Sequence, residues 1–97
     1  MSSIRARATL VDGMAEVRAL ISHPMDAPDE ETGDEGHFIQ EVIAEINGEK
    51  VLHAHWGPSI SPNPLIEFET EAEAGDTLKI RYTDNRGEGE SHEMELA

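Results

Sequence analysis

Apolar residues recur at every second position along most of this chain, the period of a strand with one buried face. Ile4 to Leu10 sets Ile4, Ala6, Ala8 and Leu10 on one side and Arg5, Arg7 and Thr9 on the other. Asp12-Gly13 is a turn signal, and Ala15 to Ile21 returns with Val17, Ala19 and Ile21 inward and Arg18 outward. Leu65 to Thr70 faces Ile66 and Phe68 inward, and Thr77 to Thr83 does the same with Leu78, Ile80 and Tyr82. Glu90 to Leu96 closes the series with His92, Met94 and Leu96 on one side. Turn residues at Ala74-Gly75-Asp76 and Asp84 to Gly87 separate the last three runs. No stretch carries a helical period.

The strongest local signal is Asn47-Gly48, set between two runs of strand formers from Phe38 to Trp56. Both residues tolerate the positive φ of a type I′ turn. A two-residue turn predicts facing pairs Ile46–Glu49, Ala44–Val51, Val42–His53 and Gln40–His55 on one face. The other face then holds Glu45–Lys50, Ile43–Leu52, Glu41–Ala54 and Ile39–Trp56. Both faces mix apolar and polar residues, unlike a hairpin with a single buried face. We take Ile39, Ile43, Leu52 and Trp56 as the inward stripe. Phe38, Gln40, Val42, Val51, His53 and His55, extended by Trp56, Gly57 and Pro58, form a candidate partner interface. A one-residue bulge beside Asn47-Gly48 would exchange the faces.

Seven short strands in about 100 residues predict an all-β fold, an immunoglobulin-like β-sandwich of antiparallel strands, with a small barrel as the alternative. The 97 residues make one domain, 1–97. Two connections are long: Ser22 to Gly36, with six acids, and the proline-rich Gly57 to Pro64. The first is read as a loop, mobile in part.

Charge narrows the partners. Twenty-one acidic residues against seven basic give a net charge of −14, which repels nucleic acid and anionic membranes. Arg5, Arg7 and Arg18 share the outer face of the first strand pair, where they are expected to balance nearby carboxylates. There is no cysteine, so disulfides, thiolate catalysis and Cys-ligated metals are excluded. No apolar run approaches the roughly 20 residues of a spanning helix. The N-terminal stretch lacks the apolar region of a signal peptide, which predicts a cytoplasmic protein or one whose leader is absent or carried by another chain.

Candidate chemistry is sparse. His53 and His55 lie two apart on a strand, hence on one face, a spacing that suits metal ligation. His23, His37 or His92 would have to supply a third ligand, and we read the pair as facing solvent or a partner, with metal binding as the alternative. The acidic loop does not match the ligand spacing of an EF-hand. Ser59, Ser61 and Ser91 lack a G-x-S-x-G setting, no phosphate-cradling glycine loop occurs, and no carboxylate pair stands out as acid and base. We expect neither an enzyme nor a bound cofactor. A homo-oligomeric structural protein is a third reading.

Four stretches fall in a recognisable order: EVRALISHPM at 16–25, HFIQEV at 37–42, AHWGPSISPNP at 54–64 and GDTLKIRYTDNRGE at 75–88. Together they resemble the SoxZ family of sulfur-oxidation proteins. The resemblance implies an immunoglobulin-like sandwich and a non-catalytic role beside SoxY in the thiosulfate-oxidising Sox system. There the SoxY-like partner carries sulfur intermediates on a cysteine near its own C-terminus, and the SoxZ-like chain holds it and presents it in transient docking to other Sox enzymes. It also implies a periplasmic location, reached by co-export with a signal-bearing partner. Related chains have a longer, basic segment where this one has DAPDEETGDEG at 26–36, a departure that bears on enzyme docking.

Overall fold

The computed structural model describes residues 3–97. It contains seven antiparallel strands: β1 (Ile4–Val11), β2 (Met14–Ile21), β3 (Ile39–Ile46), β4 (Glu49–His55), β5 (Leu65–Glu71), β6 (Thr77–Asp84) and β7 (Gly89–Glu95). They form a three-stranded sheet, β1-β2-β5, and a four-stranded sheet, β4-β3-β6-β7. The two long connections and the 72–76 turn are the crossings between sheets. This is the arrangement expected of an immunoglobulin-like sandwich, with the fourth strand placed beside the third.

Alternation built these sheets as expected from the sequence. Val17, Ala19 and Ile21 of β2 and Leu78 and Ile80 of β6 are all at most 1% exposed. Between the sheets they meet Ile4, Ile39, Val42, Ala44, Ile46 and Ile66. The two tight hairpin turns take positive φ at both central residues, Asp12 and Gly13 in one, Asn47 and Gly48 in the other. That is the type I′ geometry the dipeptides favour.

The central hairpin departs from its straight register. Ile46↔Glu49 and Glu45↔Lys50 pair as expected, but the ladder then shifts to Ala44↔Leu52, Ile43↔His53, Val42↔Ala54 and Glu41↔His55. Val51 is the extra residue of a β-bulge, so the face of β3 is exchanged relative to that of β4. Burial explains the choice. The straight register would put Val42 beside two histidines, whereas the bulge turns Val42, Ala44 and Ile46 into the core with Leu52 and Ala54. A second irregularity between Ile39 and Glu41, in the pairing with β6, leaves Gln40 as the odd residue. It returns Ile39 to the core face, where it is fully buried. The expected inward stripe is therefore corrected at one position: Ile39, Leu52 and Trp56 pack on the core, while Ile43 lies on the outer face.

Candidate functional site

The bulge assembles a cluster on the outer face of the larger sheet. Glu41 pairs directly with His55 and neighbours His53 across β3 and β4. His53 Nε2 lies 2.9 Å from Glu41 Oε2, and the two imidazole rings are 4.6 Å apart. One ligand atom from each of Glu41, His53 and His55 falls within 4.8 Å of the others. The hydrogen bond from His53, and further the nearby His55 and Arg81, hold the Glu41 carboxyl below its ordinary pKa. Lys50 Nζ approaches His53 Nδ1 at 3.3 Å. Beneath them Ile43, between His53 and Arg81 in the ladders, is only 5% exposed. The third member was hidden in the sequence because the straight register pairs Glu41 with Ala54. His92 is not part of this cluster; it sits on β7 opposite Ile80.

His23 and His37 join a different group, with Asp84. His37 Nε2 is 2.7 Å from Asp84 Oδ2, and His23 Nε2 is 3.8 Å from the same oxygen. The backbone N–H of Met25 donates to His23 Nδ1 at 3.1 Å. Nδ1 is thus an acceptor, and the neutral ring carries its proton on Nε2. That Nε2 is buried and makes no hydrogen bond among the described residues, Asp84 lying 3.8 Å away. Burial and the neighbouring His37 hold His23 below its ordinary pKa, against the pull of Asp84 and Asp26. Burial pushes the Asp84 carboxyl up, but His37 and the N–H groups of Glu88 and Arg86 outweigh it, and the net shift is downward.

This group stands at the base of the acidic connection, which is more ordered than a loop reading implies. Asp26 and His37 exchange backbone hydrogen bonds at 2.8 and 2.9 Å, and Asp29 pairs with Asp34 beyond them. Gly36 permits the closure: its φ is +77°, and an added Cβ would lie 2.5 Å from the Asp26 carbonyl oxygen. The other long connection is tied to the same base, since His23 N–H donates to Asn63 Oδ1 and Asn63 N–H to the His23 carbonyl.

The residues expected at a partner interface are only partly brought together. Val42 is fully buried in the core, so it is corrected from a contact residue to a packing residue. Gln40, His53, His55 and Pro58 are exposed, while Phe38, Val51, Trp56 and Gly57 are half-buried. They lie on or beside β4, an edge strand with one row of backbone groups unpaired in the sheet. On the smaller sheet Arg18 meets Glu67 at 3.2 Å. Arg5 and Arg7 make no ion pair among the described residues, and they flank the exposed pair Leu20 and Leu65.

A two-sheet antiparallel sandwich of seven strands without cysteine defines a small all-β protein. The family model described as Sulphur oxidation protein SoxZ matches residues 4–95. The chain belongs to the SoxZ family and is thereby a sulfur-oxidation subunit of the Sox system. No curated protein matches the chain.

Proposed function

We propose that this chain is the non-catalytic subunit of a SoxYZ-type carrier heterodimer. It holds a SoxY-like partner whose C-terminal cysteine bears thiosulfate-derived sulfur, and presents it to other Sox enzymes. The observation that carries the reading is the absence of cysteine from all 97 residues of a sulfur-oxidation family member. Without a thiol the chain cannot hold sulfur as a persulfide or thiosulfonate, so that chemistry falls to another subunit. A second thiol in the complex would also compete by disulfide exchange. Periplasmic residence, reached with a signal-bearing partner, belongs to the same proposal.

The surface best suited to the partner is β4 with the turn after it. Glu49, Lys50, His53 and His55 of this strand are exposed, and Val51 is half-buried. Val51 and Trp56, both partly exposed, offer apolar area beside an unpaired strand edge, the two components of binding by strand addition. The test is a tagged pull-down from the native host during sulfur oxidation, reading intact masses. A stoichiometric small protein ending near a cysteine, with sulfur adducts, supports the reading. A chain recovered alone counts against it. Val51→Lys on the edge is expected to weaken the association at least tenfold with the fold retained, because an edge lysine opposes strand pairing. Undiminished association would move the interface elsewhere.

A further inference from the structure

The geometry points to a surface site for a first-row divalent transition metal, held by Glu41, His53 and His55. The inference stands apart from the carrier reading, because it needs only this chain. Two imidazoles and a carboxylate are the donor set favoured by Zn²⁺, Ni²⁺ and Cu²⁺ and disfavoured by Mg²⁺ and Ca²⁺, which take oxygen ligands. Tetrahedral bonds of about 2.0–2.2 Å require donor atoms roughly 3.3–3.5 Å apart. The three donors already lie within 4.8 Å of one another. Closing that gap takes side-chain rotation alone, since His53 and His55 are exposed and Glu41 half-exposed. Backbone positions are fixed by the ladder: Glu41 is opposite His55, and His53 is two residues away on the same face. Three protein ligands leave a coordination position open to solvent.

Protonation separates this group from the other triad. His23 Nδ1 accepts a backbone N–H from Met25, so its Nε2 keeps a proton and has no lone pair for a metal. Ligation there would need that backbone bond broken inside the core. At His53 the corresponding contact comes from Lys50, an exposed residue whose ammonium has water as an alternative partner. Nδ1 can then take the proton, and Nε2 exchanges its hydrogen bond to Glu41 for the metal. The net charge of −14 raises the local concentration of cations around the whole molecule.

Calorimetric titration of the metal-stripped full chain with Zn²⁺ at pH 7.5 tests the site. One ion per chain is expected, with micromolar affinity and no response to Mg²⁺. His55→Ala and His53→Ala should each weaken binding at least tenfold, and His37→Ala should leave it unchanged. Lys50→Gln should tighten binding, because it removes a cation and a competitor for His53 Nδ1; a merely nonspecific association with carboxylates would not single out these residues. Trp56, the one tryptophan, follows His55 in sequence, so Ni²⁺ or Cu²⁺ at the site should quench its fluorescence. Absence of zinc binding below about 100 μM, or binding that survives both histidine substitutions, would overturn the assignment.

Discussion

His23 is the residue whose chemistry and surroundings are most at odds. It is buried against His37, Asp84 and the Tyr82 ring edge, with Asp26 close by, and its one ring acceptor is used by Met25 N–H. A second proton would have to enter at Nδ1 and displace that bond. Its folded pKa lies below the unfolded value of about 6.5. Above that value both states are neutral, and the contribution to stability is fully present. As pH falls through about 6.5 the unfolded chain binds the proton first, so stability is lost progressively toward the folded pKa. Asp84, also depressed, adds a further loss only below about pH 4. Thermal melts at pH 7.5 and 5.5 should therefore show a drop that is smaller in His23→Gln, which cannot take up the proton. Equal drops in the two proteins would show that His23 is not the titrating group.

At the scale of elements, the central hairpin decides what the outer face can do. Val42 separates the two registers: exposed in the straight ladder, fully buried in the bulged one. Val42→Ala is expected to cost about 2 kcal/mol in a denaturant titration, from lost transfer energy and the cavity left behind. Val42→Glu would bury an unpaired carboxylate and should unfold a domain whose whole stability is about 5–15 kcal/mol. A loss below about 0.5 kcal/mol for the alanine variant would favour the straight register. Seven strands, their turns and most inward positions were legible because alternation and Asn-Gly or Asp-Gly pairs act locally. The face of β3 was not, because a single unpaired residue of β4 inverts it relative to its partner and only burial against the other sheet selects it. Glu41 was lost for the same reason. The His23–His37–Asp84 group was out of reach for another: it joins two connections and the end of β6, which no local pattern relates.

At the scale of the whole molecule, charge is the dominant surface property. Arg18, Lys79, Arg81 and Arg86 each pair with one glutamate, leaving most of the 21 acidic residues with no Lys or Arg partner among the described residues. Those pairs are exposed at one or both partners, and each is worth about 0–1 kcal/mol before screening. Against them stands the mutual repulsion of a −14 chain compacted to a radius of gyration of 14.7 Å. An unfolded chain of this length spreads the same charge over roughly 30 Å. At about 0.01 M salt the Debye length is about 30 Å, so every carboxylate senses the others across the sandwich; at about 0.15 M it is about 8 Å and only neighbours interact. Folding concentrates the charge, so screening favours the folded state more than it weakens four surface pairs. The melting temperature should rise by several degrees as NaCl increases from about 0.01 to about 0.3 M at pH 7.5. A fall over the same range would mean that the ion pairs outweigh the repulsion, and that the acidic surface is more fully compensated than its unpaired carboxylates imply.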